Sequence, residues 1–262
     1  MKEKELSLLK DFLEEKTLLY NNKKFIESDP ISIPHLFTKK QDIEIAGFLA
    51  ATIAWGNRKS IISNANKLVQ WMDHAPHDFI VNAQTKDLAP FLKFVHRTFN
   101  GIDCVFFLRS LQHLYTTHKS LESAFHQGIS KEDADIKNAI IHFRKEFFSI
   151  KHPTRTEKHV SDTGKGSSAK RLCMYLRWMV RNDKAGVDFG IWKKIKPSQL
   201  CLPLDVHTGN VSRALGLLKR KQNDWQAVEE VTAQLRAMDP ADPVKYDFAL
   251  FGLGVFEKFT KD

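Results

Sequence analysis

Residues 198–217 read SQLCLPLDVHTGNVSRALGL, an apolar, proline-containing approach followed by a helical pattern. Asp205 stands at the junction, and Asp is among the residues preferred for capping a helix. The positive end of a helix dipole keeps such a carboxylate ionised. The segment therefore predicts a helix that begins at or just after Asp205. Two roles are open for this carboxylate. It is either a helix cap and nothing more, or a functional group that stabilises a developing cation or orients a water molecule.

Apolar residues recur at helical spacing along most of the chain, and no alternation of period two is long enough to predict a strand. We therefore predict an all-α protein. Two prolines predict an extended connector over residues 28–34, and the polar residues 151–167 predict a surface loop. The expected helices cover residues 5–20, 41–54, 58–72, 88–99, 104–116 with Asp103 as its cap, 131–148 and 168–181, with one more starting at Asn223 and a last one starting at Asp242 and Pro243.

The composition describes a basic chain with a sizeable core. Among 262 residues, 40 are Lys or Arg and 31 are Asp or Glu, which gives a net charge of +9 and favours a polyanionic partner such as nucleic acid. The three cysteines are far apart, which argues against a zinc ribbon, an iron–sulfur cluster and a disulfide framework. We expect no metal or cofactor. No apolar run reaches the length of about 18 residues that a membrane span needs, so we expect a cytoplasmic protein with no membrane partner.

A glycine turn, Gly164-Lys165-Gly166, precedes the helix predicted from Ser168. Backbone N–H groups at such a turn can bind an anion, and Lys165 adds a positive charge. The helix that follows carries four basic residues outside its apolar stripe, which form either a solvated face or a face that lies along a phosphate backbone. These residues are Lys170, Arg171, Arg177 and Arg181.

The order of these motifs resembles that of the helix-hairpin-helix DNA glycosylase superfamily. The best segment is residues 203–217, where proline, an apolar residue, Asp205 and His207 precede Arg-Ala-Leu-Gly-Leu. The helix RLCMYLRWMVR at residues 171–181 is also similar to a hallmark helix of an uncharacterised bacterial family on this plan. The resemblance implies one globular unit without an iron–sulfur cluster, made of two interleaved helical subdomains. The central one covers approximately residues 42–204, with a hairpin near 160–182, and the other combines residues 1–41 and 205–262.

The resemblance implies a DNA N-glycosylase of base excision repair, a hydrolase that acts on double-stranded DNA. Asp205 falls on the catalytic carboxylate, which stabilises an oxocarbenium-like state or orients water. Some members also use a lysine that forms a Schiff base with C1′. The place of that lysine falls on Ser168, and Lys170 follows shortly after it, so Lys170 is the candidate for a lyase step. The branch that removes oxidised purines is favoured, acting as a monomer associated with the nucleoid.

Residues 48–61, FLAATIAWGNRKSI, resemble the first core helices of the same superfamily. Asn57 falls nearest a residue that wedges into the duplex, and Arg58 follows it. Trp55 is either a core residue or a face on which an extruded base stacks. His207 and Asp247 are the other candidates for the base pocket, each with a structural alternative. The DNA-binding residues that the resemblance implies are Asn57, Arg58, Gly164, Lys165, Gly166, Ser168 and Arg171.

Two other functions remain open from the sequence. A DNA- or RNA-binding protein on the same scaffold would not excise bases, and the serine at position 168 favours it. A helical interaction protein would use its basic surface to meet an acidic partner. The affinity for nucleic-acid phosphates falls steeply as the salt concentration rises, and this dependence distinguishes a nucleic-acid-binding protein from the last alternative.

Overall fold

A computed structural model describes residues 3–260, which are mostly helical, with 63% helix and 2% strand. The prediction of an all-α protein is confirmed. The α-helices within residues 3–260 are α1 (Glu3–Tyr20), α2 (Lys23–Glu27), α3 (Lys40–Thr52), α4 (Arg58–Trp71), α5 (Pro76–Asn82), α6 (Gly101–His118), α7 (Leu121–His126), α8 (Lys137–Phe147), α9 (Lys170–Val180), α10 (Val206–Ala214), α11 (Trp225–Met238) and α12 (Asp247–Val255).

Short elements connect these helices. Two strands of two residues each, β1 (Val95–His96) and β2 (Phe99–Asn100), pair in an antiparallel ribbon. The 3-10 helices are Pro30–Ser32, Pro34–Leu36, Ala89–Lys93, Thr154–His159, Thr163–Lys165, Pro197–Gln199 and Pro243–Tyr246. No helix within residues 3–260 combines the length and the apolar character that a bilayer span requires.

The described chain divides into two compact units, the first with residues 3–25, 133–137 and 162–260 and the second with residues 26–132 and 138–161. The expected central subdomain of residues 42–204 differs from this division, because residues 162–204 belong with the C-terminal helices. The reason lies in α9, which is buried from Leu172 to Val180. Arg177 of this helix binds Asp247 of the C-terminal segment, and Arg181, which follows the helix, binds Asp242.

The first unit is built around α12, which contacts both α1 and α10. Gly252 lets α12 approach α1 closely, since a Cβ at this position would lie 2.1 Å from the Tyr20 ring. Gly254 performs the same role towards α10, where a Cβ would lie 3.1 Å from the Cβ of His207. The small residues of α12 therefore decide how tightly the three helices pack.

The second unit is built around α3, which contacts α4 and α5, and around α6, which contacts α5 and α7. Phenylalanines fill its core. Phe48 of α3 lies within 6.0 Å of Phe107, measured between ring centroids, and Phe125 stacks on Phe143 at 3.9 Å. This apolar core explains why the α3 and α4 predictions, made from periodicity, are close to the observed bounds.

The predicted helix over residues 88–99 is wrong. A 3-10 helix ends at Lys93, and the chain then reverses between β1 and β2 with Arg97 at a positive φ of 55°. Phe94 and Phe99 are still buried, so a tight ribbon satisfies the apolar spacing that suggested a helix. The next helix begins at Gly101, capped by Asn100, and Asp103 completes the cap from the third helical position.

Two polar segments are more structured than predicted. The connector at residues 28–34 is not extended, because the Asp29 side chain accepts a hydrogen bond from the Ile31 N–H and starts a 3-10 turn. Residues 151–167 are not simply a surface loop, since Thr156, His159 and Thr163 are buried. Other helix starts differ from the predictions. α8 begins at Lys137, α9 at Lys170 and α11 after Asp224, and α12 begins at Asp247, after a 3-10 helix that starts at Pro243.

Candidate functional site

Asp205 is the N-cap of α10, as the sequence predicts. Its Oδ1 accepts a hydrogen bond from the Thr208 N–H at 3.0 Å, and its own N–H donates to the Thr208 Oγ1 at 2.8 Å. This reciprocal capping box fixes the carboxylate on the first turn of the helix. Residues 200–204, which lead to it, are buried, so the cap is held from both sides.

Lys170, the first residue of α9, lies beside Asp205. Its Nζ is 3.8 Å from the Asp205 Oδ2, and the two side chains are 26% and 25% exposed. Because the two residues are 205 − 170 = 35 positions apart, only the fold brings them together. The predicted catalytic pair is therefore an ion pair at the starts of two helices, partly open to solvent.

A strained turn precedes Lys170. Ala169 has φ 47° and ψ 34°, in the left-handed region, and it is 1% exposed. A non-glycine residue pays roughly 1–2 kcal/mol to adopt this conformation. The Ser167 Oγ accepts a hydrogen bond from the Ala169 N–H at 3.3 Å, which helps to hold the turn. This geometry sets the direction in which Lys170 enters α9.

Asp247 lies behind this pair and is 4% exposed. The Arg177 Nη1 donates a hydrogen bond to its Oδ2. Burial, with a smaller contribution from the negative charge of Asp205, raises the pKa of Asp247 to about 6 against the opposing charges of Arg177 and Lys170. The three ionisable groups, Lys170, Asp205 and Asp247, therefore influence one another electrostatically. Asp247 is a buried member of the site.

The expectation that Arg177 and Arg181 lie on a polar helix face is wrong, because both are 3% exposed. The Arg177 Nε donates to Asp188 at 3.2 Å, and the Arg181 Nη1 donates to the same carboxylate at 3.1 Å. Arg181 also binds Asp242 through its Nε at 2.9 Å. Acidic residues follow this basic helix closely in the sequence. They are the signal from which the burial of the two arginines in ion pairs could have been predicted.

The glycine turn does not present an anion-binding cradle. The Gly164 N–H donates to the Asp162 side chain at 3.0 Å, and the Gly166 N–H donates to the Thr163 carbonyl at 3.1 Å. The backbone donors that were expected to bind phosphate are thus used within the turn itself, because Asp162 caps it. The Lys165 side chain is exposed, so its positive charge remains accessible to an anion.

The other predicted residues of this unit differ in exposure. Ser168 is half-buried and lies outside α9, two residues before the first helical residue. Arg171 is also half-buried, and burial lowers its pKa to about 10. His207 is exposed on the first turn of α10, with its Cβ against Gly254.

Trp55, Asn57 and Arg58 belong to the second unit. Asn57 is the N-cap of α4, and its Oδ1 accepts a hydrogen bond from the Ser60 N–H at 3.2 Å. Trp55 is half-buried and lies edge-on to His96, with a ring centroid distance of 5.1 Å, while His159 stacks on it at 6.1 Å. Arg58 is half-buried at the first position of α4. These contacts give Trp55 and Asn57 defined structural roles.

Asn223 is a residue of the site that the sequence did not indicate. Its Nδ2 donates a hydrogen bond to the Asp205 carbonyl at 3.0 Å, and its Oδ1 accepts one from the Arg213 Nη2 at 2.6 Å. It was expected to start a helix, whereas Asp224 caps α11. Its partners lie 10 and 18 positions away in the sequence. No local sequence pattern therefore predicts these hydrogen bonds.

Residues 3–260 contain no group of three or more His, Cys, Asp and Glu side chains that could hold a metal ion. Comparison with curated proteins and with solved structures gives no match to this chain. A family model, described as "Protein of unknown function (DUF2400)", matches residues 29–256. Since this match covers well over half of the 262 residues, the chain belongs to the DUF2400 family.

Proposed function

We propose that this chain is a DNA N-glycosylase, in which Asp205 is the catalytic carboxylate and Lys170 the nucleophile. The observation that carries the proposal is the 3.8 Å separation of the Lys170 Nζ from the Asp205 Oδ2, in a partly exposed pair. An amine can attack a sugar carbon as a nucleophile, and a carboxylate beside it can stabilise the positive charge that develops on the sugar. The net charge of +9 favours a nucleic-acid substrate.

The chemistry follows from these two groups. Lys170 loses a proton to solvent, Asp205 stays ionised, and the free electron pair of the amine forms a bond to C1′. The bond between C1′ and the base breaks, and the base leaves with its electron pair and takes up a proton. Positive charge develops on the sugar during this step, and the Asp205 carboxylate stabilises it. The nitrogen then loses a second proton, and its electron pair forms a C=N bond to C1′. The C1′–O4′ bond opens with its electron pair on O4′, which takes up a proton, and the product is a protonated Schiff base.

The substrate must present C1′ to the pair, so the base is extruded from the duplex before it is removed. The resemblance of the chain to the glycosylases favours an oxidised purine in double-stranded DNA. We expect the protein to act as a monomer on DNA of the nucleoid.

The test is base release from end-labelled duplexes that contain oxidised guanine, uracil, alkylated adenine or thymine glycol, with and without borohydride. We expect Asp205→Asn to lower release by about 10²–10⁴-fold, the usual effect of losing an acid–base or charge-stabilising group. Asparagine caps a helix about as well as aspartate, so the fold is retained. We expect Lys170→Ala to abolish the borohydride-trapped adduct.

Matched controls separate chemistry from folding. Asp135→Asn changes a carboxylate that also accepts a backbone hydrogen bond, from the Lys137 N–H at 2.8 Å. Lys16→Ala removes a lysine paired with Glu257 at 2.8 Å. Both controls should release base like the wild type. Release that persists in Asp205→Asn would refute the assignment, and duplex binding without release from any substrate would favour the non-catalytic alternative.

A further inference from the structure

The loop between α10 and α11 carries Lys219-Arg220-Lys221, the only run of three basic residues in the sequence. Lys219, Lys221 and Gln222 are exposed, and with Gln226 and Glu230 the loop forms an open depression on the surface. Among residues 3–260, neither the Lys219 nor the Lys221 ammonium group takes part in an ion pair. Two positive charges are therefore available to an external anion.

The backbone of this loop is held in place. The Arg213 side chain donates to the carbonyls of Arg220 at 2.8 Å and Lys221 at 2.9 Å. Arg220 is itself engaged by both oxygens of Asp224, at 2.7 and 2.5 Å. The Lys219 N–H donates to the Glu230 side chain at 2.6 Å. A fixed loop that carries two free ammonium groups binds an anion at a smaller entropic cost than a flexible one.

The same loop and the start of α11 are joined by hydrogen bonds to Asp205 and to the glycine turn. The Asn223 Nδ2 donates to the Asp205 carbonyl at 3.0 Å. The Trp225 N–H donates to the Gly166 carbonyl at 2.9 Å, next to the exposed Lys165. Hydrogen bonds thus hold the loop, the glycine turn and the helix cap next to one another in the first unit.

We infer that Lys219 and Lys221, together with Lys165, bind backbone phosphates of DNA beside the Lys170–Asp205 pair. This inference rests on the proposed function for the position of the reacting nucleotide. Each ammonium–phosphate contact releases condensed counterions, so binding depends on the salt concentration in proportion to the number of contacts. Phosphate contacts of this kind fix the register of the duplex and read no base sequence.

The experiment measures how tightly the full chain binds a fluorescein-labelled, undamaged duplex at increasing salt concentrations. Lys219→Gln combined with Lys221→Gln leaves Arg220 and its contacts with Asp224 intact. We expect this double variant to bind about tenfold more weakly at low salt, and the slope of log K against log salt to decrease in magnitude by about 2, close to one per lysine. Lys23→Gln combined with Lys24→Gln is the matched control, because it removes the same charge from two exposed lysines of the same unit.

The outcomes separate this inference from the proposed catalysis. An unchanged salt slope in the Lys219/Lys221 variant, or an equal loss in the Lys23/Lys24 variant, would overturn the phosphate site. Failure of the wild type to bind the duplex would overturn it too. Base release is measured on the same proteins, so a chain that shows the expected slope change without releasing any base keeps the phosphate site and loses the glycosylase proposal.

Discussion

Asp205 and Asp247 show how the surroundings of one residue type decide its role. Asp205 is partly exposed and fixed by a capping box, with Lys170 at 3.8 Å. Asp247 is buried, and burial raises its pKa to about 6 even though Arg177 donates a hydrogen bond to it. One carboxylate is thus partly open to solvent, while the other is a buried group whose charge depends on pH near 6.

Replacing Asp247 with Asn should change how stability depends on pH. Between pH 3.8 and about 6 the folded protein holds a proton on Asp247 that the unfolded chain has released. The stability that this group contributes is complete below about pH 4 and is lost as the pH rises through about 6, and the change is about 3 kcal/mol. When the pH is raised from about 4 to above 6, the free energy of unfolding of the wild type should therefore fall by about 3 kcal/mol more than that of Asp247→Asn. Urea denaturation at several pH values measures this difference. Parallel pH profiles for the two proteins would contradict this.

The helices owe their starts to local capping residues and their packing to small residues. Asn57, Asn100, Ser120, Asp205 and Asp224 each accept a hydrogen bond from a backbone N–H in the first turn of the helix that follows. Such caps are visible in the sequence because they involve residues at most three positions apart. The contact between α1 and α12 depends instead on Gly252, whose partner Tyr20 lies far away in the chain.

Gly252→Ala should separate α1 from α12. The new Cβ would lie 2.1 Å from the Tyr20 ring, and overpacking of this kind costs about 1–3 kcal/mol. Thermal and urea unfolding measure the loss. The same change in a Tyr20→Ala background should cost nothing or stabilise slightly, because alanine is the better helix former. An equal cost in both backgrounds would show that the Tyr20 contact is not responsible.

On the scale of the whole molecule, the two units are stabilised differently. The second unit has a core of stacked and edge-on phenylalanines, among them Phe48, Phe107 and Phe143. The first unit buries an ionic network in which Arg181 binds Asp183, Asp188 and Asp242. Burying these charges is tolerated only because each has a partner with good geometry.

Arg181→Met should destabilise the first unit by about 3–5 kcal/mol, since it leaves the buried Asp188 with one partner fewer and Asp242 without its arginine. Urea denaturation followed by the fluorescence of Trp178 and Trp192, which are buried in that unit, measures the effect. Arg181→Lys should lose less, because it retains the charge but not the several contacts of the guanidinium. If the methionine variant is as stable as the wild type, the network contributes specificity and not stability.

The sequence by itself determined the all-α class, the helices α1, α3, α4 and α10 to within a few residues, and Asp205 as a helix cap. These features depend on interactions within one or two helical turns, which periodicity and capping residues express directly. Only the tertiary structure decided that Lys170 meets Asp205, that Arg177 is buried against a carboxylate 70 positions away, and that Asn223 ties the basic loop to the site. Those contacts join distant segments, and burial and electrostatic pairing set them once the helices have packed.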